Sequence, residues 1–162
     1  MEQIPLLAVA VILILSVPLA IIDIREHRLP NKMTLSAIAV SAFTVVTAAL
    51  SLQAFERLAI ALALGGVTFG IGYLMAKLNG IGMGDVKYLV AVNISLGWFS
   101  PWLILPMLAI GFTVASLVSL GLIVMRKANL KTPIPMGPFL ILGFVLVSIE
   151  LFEPLVTVAG GS

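Results

Sequence analysis

Asp23-Ile24-Arg25-Glu26-His27-Arg28-Leu29-Pro30-Asn31-Lys32 is the most polar stretch of the chain, and it lies between two apolar runs, residues 4–22 and 33–52. Each run is close to the ~20 apolar residues needed to cross a bilayer as a helix. Pro30 lacks an N–H and restricts the residue before it, so one helix cannot run through the polar stretch. The unit reads as two membrane helices joined by a polar turn, the first ending near Asp23. The first run is long for a signal peptide and has no small-residue cleavage site, so it is read as a span.

The rest of the chain repeats this pattern. A third apolar run covers residues 58–78, after Gln53, Glu56 and Arg57. Its glycines Gly65, Gly66, Gly70 and Gly72 suit close helix packing. Gly80, Gly82 and Gly84 then alternate along an irregular connection, and a fourth helix is predicted over residues 85–99. This span is the least hydrophobic, carrying Asp85, Lys87, Asn93 and Ser95, and is expected to face protein or water instead of lipid. The fifth span opens at Pro101 and runs to Met125. The sixth covers residues 137–158 after a proline-rich turn.

Composition agrees with this reading. Of 162 residues, 61% are hydrophobic and 10% charged, and the mean hydropathy is +1.23. A soluble domain cannot hide that much apolar surface. The expectation is an all-α, polytopic membrane protein of about six transmembrane helices, forming one membrane-embedded domain over residues 1–162. The chain has no cysteine and one histidine, His27. Disulfides, thiolate metal sites and thiol nucleophiles are excluded, and neither a metal nor a cofactor is expected.

Basic residues set the expected orientation. Arg25, Arg28, Lys32, Lys77, Lys87, Arg126, Lys127 and Lys131 lie at the 1–2, 3–4 and 5–6 connections, leaving Arg57 for the others. Those three connections are therefore expected on the cytoplasmic side and both termini outside. The same charges suit anionic lipid headgroups, and no nucleic-acid partner is expected. Lys87 reads as snorkelling to the interface. Trp98 and Trp102 read as outer-interface anchors.

Under this topology Asp23 and Asp85 reach the same membrane depth from opposite helix ends. Two neighbouring carboxylates cannot readily both ionise, and a pair sharing a proton serves acid–base hydrolysis. The helix ends suggest Asp85 as base, beside a helix N-terminus, and Asp23 as acid, beside a C-terminus. Taken singly, Asp23 also reads as a juxtamembrane charge and Asp85 as a helix N-cap. A small proton- or cation-coupled transporter using the same two aspartates stays open from the residues alone, as does a noncatalytic assembly factor. Gly82 and Gly84 read either as room for substrate backbone beside Asp85 or as positions needing unusual backbone angles. Pro30 and Asn31 read as the turn into the second helix.

Gly82-Met83-Gly84-Asp85, Asp23 followed by Leu29-Pro30-Asn31, and Ile134-Pro135-Met136-Gly137-Pro138-Phe139 together resemble three blocks of the type IV prepilin peptidase family. These are bacterial and archaeal intramembrane aspartyl proteases with a Gly-x-Gly-Asp motif. The resemblance extends over essentially the whole chain. It implies that Asp23 and Asp85 are the catalytic pair, with Gly82 and Gly84 as motif support. It also implies that a prepilin-like precursor is the substrate, cleaved at the cytoplasmic face of a bacterial or archaeal membrane. The larger members with paired cysteines also methylate the new amino terminus. The resemblance here is to the short, peptidase-only form, for which no S-adenosylmethionine is expected.

Overall fold

In a computed structural model, residues 4–26, 29–78, 81–127 and 135–160 are described, the last eight of these for backbone only. They form six α-helices: α1 (Ile4–Glu26), α2 (Asn31–Leu52), α3 (Phe55–Lys77), α4 (Met83–Phe99), α5 (Ile104–Val124) and α6 (Gly137–Gly160). A single 3-10 turn, Pro101–Leu103, leads into α5. By length and composition, α1, α2, α3 and the segment Pro101–Val124 can each cross a membrane, and α6 adds a shorter apolar stretch, Gly137–Phe152. The large apolar side chains facing outward, among them Ile14, Phe43, Leu74 and Val124, suit lipid contact.

The helices largely follow the apolar runs, with differences at their ends. Helix α1 continues to Glu26, so Asp23 lies inside its last turn and not at its end. Pro30, with an extended φ of −64° and ψ of 127°, is the N-cap of α2. The carbonyl of Pro30 then accepts from the N–H groups of Met33 and Thr34, at 3.1 and 3.2 Å. Helix α2 ends where Gln53 turns left-handed, with φ 53°.

Helix α4 occupies the centre, as its polar content predicts. Val86, Tyr88 and residues 90–98 are all buried. It is tied to three neighbours by side-chain hydrogen bonds. Tyr88 Oη meets Ser16 Oγ of α1 at 3.0 Å, Ser95 Oγ donates to Ser41 Oγ of α2 at 3.0 Å, and Asn93 Nδ2 donates to Thr68 Oγ1 of α3. In a membrane interior such pairs replace the water that polar groups would otherwise need. Asn93 is inside the bundle. Trp98 is also inside, only 3% exposed, whereas Trp102 is 72% exposed; of the two expected interface anchors, only Trp102 is free to reach headgroups.

The glycines of α3 divide into two pairs. A β-carbon on Gly65 would lie 2.6 Å from Ile94 Cγ1, and one on Gly72 2.6 Å from Val86 Cγ1, so these two let α3 and α4 pack closely. Gly66 and Gly70 meet nothing within 4 Å and face away from the bundle.

Candidate active site

The sequence segments singled out above converge at one end of the bundle. Asp23 arrives on the last turn of α1 and is 4% exposed. Asp85 arrives on the first turn of α4, as its third residue. The two carboxylates are close enough for their charges to interact. Helices α1 and α4 are joined next to this point by the Ser16–Tyr88 bond, one turn along α4 from Asp85.

Asp85 is positioned by its own turn. Gly82 is the N-cap of α4, with an ordinary extended backbone of φ −72° and ψ 141°, and its carbonyl accepts from the Val86 N–H at 3.1 Å. The Asp85 side chain folds back over this N-cap, close enough for the Gly82 backbone to interact with its carboxylate. This resembles one half of a capping box, in which a carboxylate at the third helical position serves the N-cap backbone; Gly82 has no side chain to supply the other half. Asp85 is therefore not itself the N-cap. A β-carbon on Gly82 would come within 3.1 Å of Asp85 Oδ2, so the missing side chain leaves the carboxylate room. Asp85 Oδ1 is buried and has no hydrogen-bond partner among the described residues.

Gly84 answers a different need. A β-carbon there would lie 2.7 Å from Leu29 Cβ and 3.1 Å from Leu29 N and O. Backbone from the connection between α1 and α2 thus crosses directly over the first turn of α4. The space beside Gly84 is filled by the chain itself and is not open to substrate. Neither glycine needs unusual backbone angles, since no glycine with positive φ occurs among the described residues.

Lys87 does more than snorkel. Its Nζ donates to Asn31 Oδ1 at 2.8 Å, fastening the start of α2 to α4 beside the Leu29 crossing. Asn31 is thus both the first residue of α2 and a side-chain partner, a role that a Pro-Asn dipeptide does not reveal. Gly137, in the third block, carries no sign of a site role in the sequence. Its N–H donates to Asp23 Oδ2 at 3.0 Å, in a buried bond. Asp23 therefore faces the N-terminus of α6 as well as the C-terminal turn of α1, and helix ends no longer separate an acid from a base.

Other expected features fall outside the described residues: His27, Arg28, Gly80, Lys131 and Ile134, the first residue of the third block. Among the described residues, no three Asp, Glu, His or Cys side chains gather as a possible metal-ligand set.

A helical membrane bundle with two interacting aspartates at one end has a clear family counterpart. The chain belongs to the type IV leader peptidase family, which matches residues 8–120, and it is a multi-pass membrane protein. It is also similar to the leader peptidase HopD of Escherichia coli, with 39% identity over 87 residues, covering 49% of this chain and 53% of that protein. The chain thus spans about half the length of that curated relative. No solved structure matches it. Asp23 and Asp85 both lie inside the family match, and Gly137 lies beyond it.

Proposed function

We propose that this chain is an aspartic endopeptidase of the cytoplasmic membrane that removes the leader peptide from prepilin-like precursors, with Asp23 and Asp85 as its catalytic pair. The observation that carries this reading is the meeting of two carboxylates from remote parts of the sequence at one end of a membrane bundle, in a chain of the leader peptidase family. One carboxylate takes a proton from water as the water oxygen attacks the scissile carbonyl carbon. The other, protonated, donates to the carbonyl oxygen. The tetrahedral adduct then collapses, the C–N bond breaks and the departing nitrogen is protonated. The proton is shared by the pair, so the two roles exchange during turnover. The buried Oδ1 of Asp85 is the acceptor to which a water or substrate donor is matched.

The substrate is a precursor whose leader precedes an apolar helix. That helix must unwind around the scissile bond, because an intact helix keeps its carbonyls hydrogen-bonded. The 162 residues act as one membrane-embedded domain, with the α1–α2, α3–α4 and α5–α6 connections at the cytoplasmic face. Cleavage without N-methylation is what the resemblance to the short, peptidase-only form implies.

Purified protein and a prepilin-like substrate, analysed by mass spectrometry, test this. Cleavage after the leader, lost in Asp23→Asn and in Asp85→Asn and unaffected by a metal chelator, is the expected result. Cleavage surviving either substitution, or ion transport by the parent without cleavage, would overturn it.

A further inference from the structure

The start of α6 is the third element of the site. Among the first residues of a helix, N–H groups lack partners within the helix. Here Pro138 has no N–H, and the N–H groups of Phe139 and Leu140 are both taken by the Met136 carbonyl, at 3.1 Å each. The Gly137 N–H is turned instead to Asp23 Oδ2 at 3.0 Å. Position 137 is also closely fitted. A β-carbon there would lie 2.6 Å from Asp23 Oδ2, 3.1 Å from its Cγ and 3.4 Å from its Cβ. The three nearest neighbours of that missing side chain are thus all atoms of Asp23.

Helix α6 is in turn held against α5 by direct backbone approach. A β-carbon on Gly143 would collide with the Met107 carbonyl oxygen, and one on Gly111 would lie 3.0 Å from the Phe139 carbonyl oxygen. The donor is therefore delivered by a braced helix and not by a loose connection.

Resting on the peptidase reading above, we propose that Gly137 is a positioning residue of the reaction: its N–H fixes the rotation of the Asp23 carboxylate towards Asp85, and its lack of a side chain makes room for that carboxylate. The residue acts on the reaction through Asp23. Misplacement of a reacting group by ~1 Å costs about 10²-fold in rate, which sets the scale of the expected effect.

The test is Gly137→Ala in the full chain, with three readouts. Steady-state cleavage is expected to lose about 10²-fold in kcat with KM changed less than about twofold. The chain contains only two aspartates, Asp23 and Asp85, so carboxyl-13C aspartate labelling yields two resonances, assigned with the Asp→Asn variants. The Asp23 resonance is expected to move on Gly137→Ala. The third readout is thermal stability, in which the loss caused by Gly137→Ala should largely vanish in an Asp23→Ala background, where the colliding carboxylate is gone. Should Gly137→Ala alone fail to fold, Asp23→Ala/Gly137→Ala is expected to fold.

Unchanged kcat, an unmoved Asp23 resonance, or equal destabilisation in both backgrounds would each overturn the proposal, as would failure of the double variant to fold. The resonance and stability readouts need no substrate. A parent that cleaves nothing while both behave as expected would indict the peptidase reading and leave the Gly137–Asp23 pairing intact.

Discussion

Asp23 and Asp85 carry the same functional group and are held by opposite means. Asp85 is served by its own turn, through the backbone of Gly82 three residues earlier. Asp23 takes a backbone N–H from 114 residues away. Asp85 has a buried oxygen without a partner among the described residues, whereas Asp23 is nearly inaccessible and pinned by another helix. A short motif therefore builds one half of the pair by itself, and the other half exists only once α1 and α6 have docked.

The largest effect should erase the difference between the two. Asp23→Asn and Asp85→Asn are each expected to lower cleavage by about 10²–10⁴-fold or more while the folded bundle persists. Unequal residual rates in the same assay would show that the pair does not act as a unit.

Next come the motif glycines, which should separate stability from activity. Gly84→Ala drives a methyl into Leu29 and its backbone and is expected to cost about 1–3 kcal/mol in unfolding measurements. Gly82→Ala meets only the Asp85 carboxylate, at 3.1 Å. It should reduce kcat with a smaller stability loss and shift the Asp85 carboxyl-13C signal more than that of Asp23. Equal shifts at both aspartates would mean that the local turn does not hold Asp85 separately.

A smaller effect is expected where α1 and α4 are joined. Tyr88→Phe removes the hydroxyl bonded to Ser16, although Ser16 Oγ keeps its bond to the Ile12 carbonyl at 2.7 Å. A loss of about 0.6 kcal/mol, and at most about 1.7, the average and maximum for hydrogen bonds between membrane helices, is expected in thermal or chemical unfolding. The smallest effect belongs to the exposed Lys87–Asn31 contact. Lys87→Met should cost about 1 kcal/mol or less, and any activity lost beyond that would assign the lysine to substrate binding.

Most of the fold was legible because apolar length is a strong signal in a membrane chain. A bilayer leaves helices as the way to satisfy backbone polar groups, and the runs are spaced by turns that proline and glycine announce. The errors are instructive. The polar stretch and Pro30 suggest an end near Asp23, yet α1 continues to Glu26 because polar residues tolerate helix and the proline lies further on. Trp98 and Trp102 looked equivalent by composition, and only packing separates the buried ring from the exposed one. Gly65, Gly66, Gly70 and Gly72 were equally small, and which pair meets α4 depends on how α3 is rotated.

The chain of residues by itself determined that this protein lies in a membrane as a helical bundle, and that two aspartates and a glycine turn share one end of it. Apolar span length and charge placement are local quantities that suffice for that. Only the tertiary structure decided what surrounds the pair and what holds Asp23: the Leu29 backbone over Gly84, the Asn31–Lys87 contact, and the Gly137 N–H on Asp23. These are approaches of a few ångströms between remote segments. They follow from how helices rotate and cross, which no spacing within one segment encodes.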